Sequence, residues 1–187
     1  MSSIRLFILG ALELEGEMHG HQLRQLAEKE HIDMWTDITV GGLYGAIKRL
    51  AAEGLIEEAR IEREGSYPER QVWRITPPGR IALGALRDQG LADVVIKPDP
   101  FDLAFARFDL EKADTLHAVL ESRVNRLRAM LLDTQTHTQH AAPFLSVGEK
   151  YVMNHKIDRL RAEITWHDTL IQNLPEIISD EQSRKER

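Results

Sequence analysis

Apolar positions recur along this chain with a helical period from its first residues. Ile4, Phe7, Ile8, Ala11 and Leu12 fall on one face of 4–14, which predicts a buried helix. Gly16 and Gly20 bracket a short turn, and a second helix is expected over His21 to Lys29 with Leu23, Leu26 and Ala27 inward. His31 to Ile38 reads as a loop carrying Trp35. Thr39 suits the N-cap of a third helix running to about Glu53. Leu43, Ile47 and Leu50 form its apolar stripe, and Gly54 its glycine stop. The period then changes to two: Ile56 to Arg63 and Arg70 to Thr76 are strand-like, with Ala59 and Ile61 inward on the first and Trp73 and Ile75 inward on the second. Thr76 followed by Pro77 opens a fourth helix, expected to pack through Ile81, Ala82, Ala85 and Leu86.

Beyond residue 90 the character changes. Pro98 and Pro100 mark a linker over 91–100. A long helix follows from about Glu111 to His140, with Leu116, Leu120, Val124, Leu127 and Leu131 at coiled-coil-like spacing. Pro143 and Gly148 signal a turn. On the last helix Met153, Ile157, Leu160, Ile164, His167, Ile171 and Leu174 step alternately by four and three. That stripe is too apolar for water and is expected in a dimer interface; Pro175 is expected to stop the helix, and 179–187 to be a charged, frayed tail. The resulting division is a domain over 1–90, a linker over 91–100, a helical dimerisation domain over 101–178 and the tail. The fold class is mainly α with a small β-hairpin, a winged helix-turn-helix followed by antiparallel helices.

Composition narrows the chemistry. The 187 residues are 42% hydrophobic and 29% charged, enough for a packed core. The absence of cysteine excludes disulfides and thiolate metal sites and suits a reducing cytoplasm. The apolar start, Met1 to Leu14, contains Arg5 and Glu13 and is too short to span a membrane. The net charge of −6 opposes nucleic-acid binding only weakly, because affinity depends on where the basic residues sit. Thr39 to Ala52 holds Lys48 and Arg49 and no acid; the hairpin holds Arg60, Arg63, Arg70 and Arg74 against Glu62, Glu64 and Glu69. Three helices and a hairpin in this order form a winged helix-turn-helix, in which the third helix enters the major groove and the hairpin reaches the adjacent backbone. On the third helix, Gly41, Gly42, Tyr44, Gly45, Lys48 and Arg49 are expected outward, with the glycines allowing the backbone near phosphate. Arg63, Ser66, Tyr67 and Arg70 surround the wing tip.

The same residues carry a family resemblance. His19-Gly20, Thr39-Val40-Gly41-Gly42-Leu43-Tyr44, Lys48-Arg49-Leu50, Glu53-Gly54-Leu55-Ile56 and Trp73-Arg74-Ile75-Thr76-Pro77-Pro78-Gly79 follow one another as in the PadR-type regulators, which the first half resembles strongly. Phe101-Asp102-Leu103 and Ala162-Glu163-Ile164-Thr165-Trp166 resemble that family's helical region more loosely. The resemblance implies a homodimeric repressor, released by a small-molecule effector, that binds double-stranded DNA at a pseudo-palindromic operator. It places His21, Gln22, Thr39, Gly41, Gly42, Tyr44, Lys48 and Arg49 near that DNA. Two positions depart: His21 stands where the family usually has Tyr, and Gly42 where Ser or Thr is common.

Other chemistry is weaker. His137 and His140 share a helix face and with His155 make a conceivable three-ligand metal site, although histidines near a helix end are commonly just solvated. His167 interrupts the apolar seam, as a register-fixing polar residue or as a sensor. Trp35, Trp73 and Trp166 suit core anchors or an effector pocket. No nucleophile–base pair or phosphate loop is present, so neither catalysis nor a cofactor is expected. The competing classes are a winged helix used for protein contact without specific DNA binding, and a metal-sensing regulator.

Overall fold

The computed structural model describes residues 2–32, 36, 38–39, 41–63 and 69–185. The chain divides into two compact units, Met1–Val95 and Ile96–Arg187. The first contains α1 (Ser3–Leu14), β1 (Met18–His19), α2 (Gly20–Lys29), α3 (Gly42–Ala52), β2 (Ile56–Glu62), β3 (Arg70–Ile75) and α4 (Pro77–Ala92). The second contains α5 (Pro100–Phe105), α6 (Ala113–Ala141) and α7 (Val147–Lys185), with 3-10 turns at Leu110–Lys112 and Ala142–Phe144. The mainly helical class with a small antiparallel sheet is as read from the sequence. Among the described residues, no helix is long and apolar enough to cross a membrane.

In the first unit one core joins the four helices to the sheet. Ile8, Leu9 and Leu12 of α1, Leu23 of α2, Leu43, Ile47 and Leu50 of α3, Ile56, Ile75 and Leu83 are buried together. Arg5 clamps α1 to the end of α3 through two hydrogen bonds to the Glu53 carboxylate, at 2.7 and 2.6 Å. The sheet has a strand that hydropathy did not reveal. β1 is two residues long and pairs Met18 with Trp73 and His19 with Val72, giving the order β1-β3-β2. Such a short edge carries no alternation to read.

Several local expectations change for identifiable reasons. A bulge between Glu58 and Arg60 breaks the strict alternation of β2, and Ile61, expected inward, is 55% exposed. On α4 the buried residues are Gly79 and Leu83; Ile81 and Ala85, expected inward, are exposed. The inward face is rotated because Gly79 sits directly against the chain after α3. Thr39 does not cap α3. The helix begins two residues later than that role requires, with Gly41 at its N-cap, and Thr39 contributes only its carbonyl, which accepts from the Gly42 N–H at 2.9 Å.

The end of α3 is closed by a full Schellman motif. Gly54 has φ +70; its N–H donates to the Ala51 carbonyl at 3.0 Å, and the Leu55 N–H donates to the Leu50 carbonyl at 2.9 Å. Thr76 then ties this corner to the start of α4. Its hydroxyl donates to the Gly54 carbonyl at 2.7 Å and accepts from the Gly79 N–H at 3.1 Å, and its own N–H donates to the Leu55 carbonyl at 3.1 Å. A Cβ on Gly79 would lie 2.0 Å from the Leu55 carbonyl oxygen. Only glycine fits there.

In the second unit α6 and α7, joined by a short turn, pack against each other as an antiparallel pair, and Arg123 reaches His167 at 2.8 Å and Arg128 reaches Asp168 at 2.9 Å. Leu120, Val124 and Thr134 of α6 and Ile157, Leu160, His167 and Leu174 of α7 are buried. The stripe expected at a dimer contact is thus covered by the facing helix of its own chain. α7 starts at a capping box: the Ser146 N–H donates to Glu149 at 2.7 Å and the Glu149 N–H to the Ser146 hydroxyl at 3.3 Å. Gly148, expected in the turn, therefore lies inside the helix. Pro175 does not stop α7, and 179–185 are helical rather than frayed. Proline costs an interior helix one hydrogen bond and a steric clash, about 3 kcal/mol. Here Pro175 itself is exposed while Leu174 is buried, so the packed neighbour helps hold the turn.

Two glycines of α4 predict opposite signs. Gly79→Ala should lower stability by about 1–3 kcal/mol or more, as an overpacked site does. Gly84, with nothing within 4 Å of a built Cβ, should gain roughly 0.5–1 kcal/mol on replacement by alanine. Urea unfolding midpoints of the two variants check both.

Candidate nucleic-acid interface

The local sequence places α2 and α3 at their junction by caps and small residues. His19 closes α2 with a reciprocal pair: its Nδ1 accepts from the Gln22 N–H at 3.1 Å, and the Gln22 side-chain oxygen accepts from the His19 N–H at 2.9 Å. Gln22, expected near DNA, thus serves the cap. An imidazole with an accepting Nδ1 is neutral and carries its proton on Nε2. His19 is buried. Its pKa lies below the ordinary 6.5, first because burial penalises the cation and second because Arg70 is near; His21 pushes the same way and Glu62 opposes it. His21 is exposed and stacks on His19, with centroids 6.1 Å apart.

α3 turns Tyr44, Lys48 and Arg49 outward. Tyr44 is 49% exposed. The N-cap Gly41 offers no side-chain cap, and the first turn holds no acid. Gly42 is not outward as expected: it is half-buried, and a Cβ there would meet Ile4 Cδ1 and Thr39 Oγ1, each at 3.3 Å. Gly45 lies under Arg49, whose Nη1 would be 3.4 Å from a Cβ. Thr39 and Gly41 are exposed.

The wing sorts its arginines. Arg60 pairs with Glu17 and, at 2.6 Å, with Glu62, while Arg74 pairs with Glu57 at 2.8 Å. Their charges are thus balanced at the base of the hairpin. Among the described residues, Lys48 and Arg63 form no ion pair. Arg70 is half-buried. Ser66 and Tyr67, expected at the wing tip, lie outside the described residues, as does Trp35. The sequence drew attention to the hairpin's arginines but did not separate balanced from unbalanced ones, since Glu17 is distant in the chain.

The first unit matches a known family. Residues 8–85 fit the profile of the Transcriptional regulator PadR-like family. Over that segment the chain is similar to the PadR-like transcriptional regulators. That family is one of regulators, not enzymes. No curated protein sequence matches the chain significantly. Solved structures show the fold of both halves. Bacillus subtilis PadR in complex with operator DNA is 20% identical with a TM-score of 0.68, over 92% of this chain and 99% of that chain. The same protein in complex with p-coumaric acid is 18% identical with a TM-score of 0.67, over 93% and 99%. A PadR-like transcriptional regulator from Bacillus cereus is 17% identical with a TM-score of 0.60, over 92% and 98%.

The second unit holds one polar cluster. His167, 1% exposed, accepts from Arg123 Nε at 2.8 Å through its Nε2, and its Nδ1 lies 2.8 Å from the Glu163 carbonyl. Arginine only donates, so the Nδ1–H tautomer is the one that satisfies both nitrogens. Arg123 also pairs with Asp99 and lies 4.4 Å over the Phe101 ring, and Phe101 meets Trp166 edge-on. The Asp99 carboxyl is held below the usual carboxylate range, chiefly by its hydrogen bond from the Phe101 N–H and then by Arg123. The seam histidine therefore joins α6 to α7 and, through Arg123, to α5. Trp73 is half-buried against the core of its own unit. Among the described residues no group of three or more His, Cys, Asp or Glu could hold a metal ion, so the conceivable set of His137, His140 and His155 is not assembled.

The His19 cap makes stability pH-dependent. Its folded pKa is depressed, so the unfolded chain takes the proton more readily; this contribution is complete above about pH 6.5 and declines as pH falls below it. Urea midpoints of the wild type should therefore drop between pH 7.5 and 5.5 by more than those of His19→Asn, which caps without titrating. Parallel pH profiles would disprove the role.

Proposed function

We propose that this chain is a homodimeric transcriptional repressor that binds a pseudo-palindromic operator in double-stranded DNA in the cytoplasm and is released by a small-molecule effector. One observation carries the DNA reading: α3 offers Tyr44, Lys48 and an acid-free, uncapped N-terminus on its outward side, beside a wing with Arg63 unpaired among the described residues. Exposed backbone N–H groups at a helix start favour phosphate, and outward side chains of such a helix reach base edges. His21, Thr39, Gly41, Gly42, Arg49 and Arg70 are the further described residues assigned to this surface; the assignment of Ser66 and Tyr67 rests on the sequence alone. The operator complex of Bacillus subtilis PadR supports DNA as the partner, and its p-coumaric acid complex supports a small-molecule effector.

Homodimerisation needs apolar surface not already used within the chain. Val119 and Met130 on α6, and Val152 on α7, are exposed. Each stands one position before a seam residue (Leu120, Leu131 and Met153). In two antiparallel helices the position before the seam falls on the same side of the pair. We place the dimer contact on that side, in place of the stripe covered by α6.

Selection of bound fragments from genomic DNA, followed by titration with purified protein, tests the reading. Lys48→Ala should weaken binding of the selected duplex, by about 1–3 kcal/mol if it reads a base, or with a salt slope smaller by about one if it neutralises a phosphate. Arg63→Ala should weaken all sequences about equally. Binding that ignores sequence would favour the protein-contact class instead. Met130→Asp with Val152→Asp should give monomers in sedimentation and lower affinity for the full palindrome, because both sites place a charge in the apolar contact; a dimeric product would move the interface elsewhere.

A further inference from the structure

Where α2 crosses α3, the first residue of α2 has no room for a side chain. A Cβ on Gly20 would lie 2.8 Å from Tyr44 Cε1, 3.2 Å from Tyr44 Cδ1 and 3.5 Å from Ile47 Cδ1. The edge of the Tyr44 ring therefore rests on the Gly20 backbone, while half of the residue stays exposed. α2 is held at this place by the His19–Gln22 capping pair immediately before it. Gly20 has no positive φ and needs no left-handed backbone. Its requirement for glycine is the ring.

We propose that Gly20 is a positioning residue for DNA recognition: its bare backbone seats the Tyr44 ring, and that seat sets the direction in which the phenol leaves α3. This rests on the reading of α3 as the DNA-contacting helix and adds the means by which its central aromatic is aimed. A tyrosine on an exposed helix face has several staggered rotamers open to it. Holding one of them before binding removes an ordering cost that would otherwise be incurred in the complex. An added methyl at residue 20 cannot coexist with the ring where it stands, but the ring can swing into solvent. The fold should therefore survive Gly20→Ala while the aim of Tyr44 is lost.

The test is a double-mutant cycle on the full-length protein. It uses a fluorescein-labelled duplex selected from random-sequence DNA with the wild type, and thermal midpoints are measured in parallel. Gly20→Ala should weaken binding about 10-fold, with little change in midpoint, and Tyr44→Ala should weaken it at least as much. In the Tyr44→Ala background, Gly20→Ala should have no further effect, which is the coupling that a merely structural glycine would not show. If Tyr44→Ala weakens binding and Gly20→Ala does not, the positioning role is overturned and the DNA reading stands. Equal losses from Gly20→Ala in both backgrounds would also overturn it, making residue 20 an independent contact. A Gly20→Ala chain that folds only when Tyr44 is also replaced would make the contact part of the core and overturn the role too. Wild-type binding by Tyr44→Ala would remove α3's reading of DNA and this inference together.

Discussion

The approach of Gly79 to the Leu55 carbonyl is the constraint through which the first unit is assembled. The corner after α3 is closed by Gly54, crossed by Thr76 and roofed by the first turn of α4. Each buried polar group there has a partner: the Gly54 carbonyl takes the Thr76 hydroxyl, and the Leu55 carbonyl takes the Thr76 N–H. Leaving such a group unpaired costs about 1–3 kcal/mol. One threonine and two glycines thereby hold the end of α3, the start of β2, the end of β3 and the start of α4 in one arrangement. The Arg5–Glu53 pair adds α1 to the same end of α3. The opposite end of α3 has no side-chain cap and no acid in its first turn, so rigidity gathers at one end of the helix and the other carries no competing carboxylate. That asymmetry is what a helix presented to an anion requires.

The electrostatic pattern follows the same division. An acidic chain can bind a polyanion only where its acids are absent or used up. Glu17, Glu57 and Glu62 are engaged by Arg60 and Arg74, and Glu28 by Arg24. These exposed pairs contribute little stability, typically under 1 kcal/mol each. Their larger consequence is local: they cancel carboxylates beside the surface on which Lys48 and Arg63 stand. Whole-chain charge conceals this, because it does not say which acids stand beside which bases.

Much of the fold was legible because its signals are local. The stripe Leu43, Ile47, Leu50 and the glycine stop at Gly54 belong to α3, and Thr76-Pro77 opens α4, all within a few residues. The outward side of α3 was readable for the same reason, as the remainder once its stripe is buried. What was not legible depends on partners and irregularities that hydropathy does not mark. Gly42 looks like an outward glycine until Ile4 packs beside it. Ile61 looks inward until the bulge at Ala59 shifts the strand. Gln22 looks available until His19 claims its side chain. The expected N-cap at Thr39 failed for a different reason: a good capping residue marks where a helix can start, while the backbone entering α3 decides where it does.

The second unit shows how a misread stripe can still carry information. The four-three spacing from Met153 to Leu174 identified a buried face correctly, but burial does not name the covering surface. α6 supplies it, with Leu120 and Val124 opposite the stripe and Arg123 one position off it. That offset explains the polar residue in the seam. His167 offers a lone pair that only a donor from the flank of α6 can reach, and Arg123 stands on that flank, stacked on Phe101 and paired with Asp99. A leucine at 167 would pack equally well in the seam but would leave the guanidinium without its Nε acceptor in a half-buried place, at a cost larger than for a neutral donor. The histidine is thus tied to the arrangement of three helices at once.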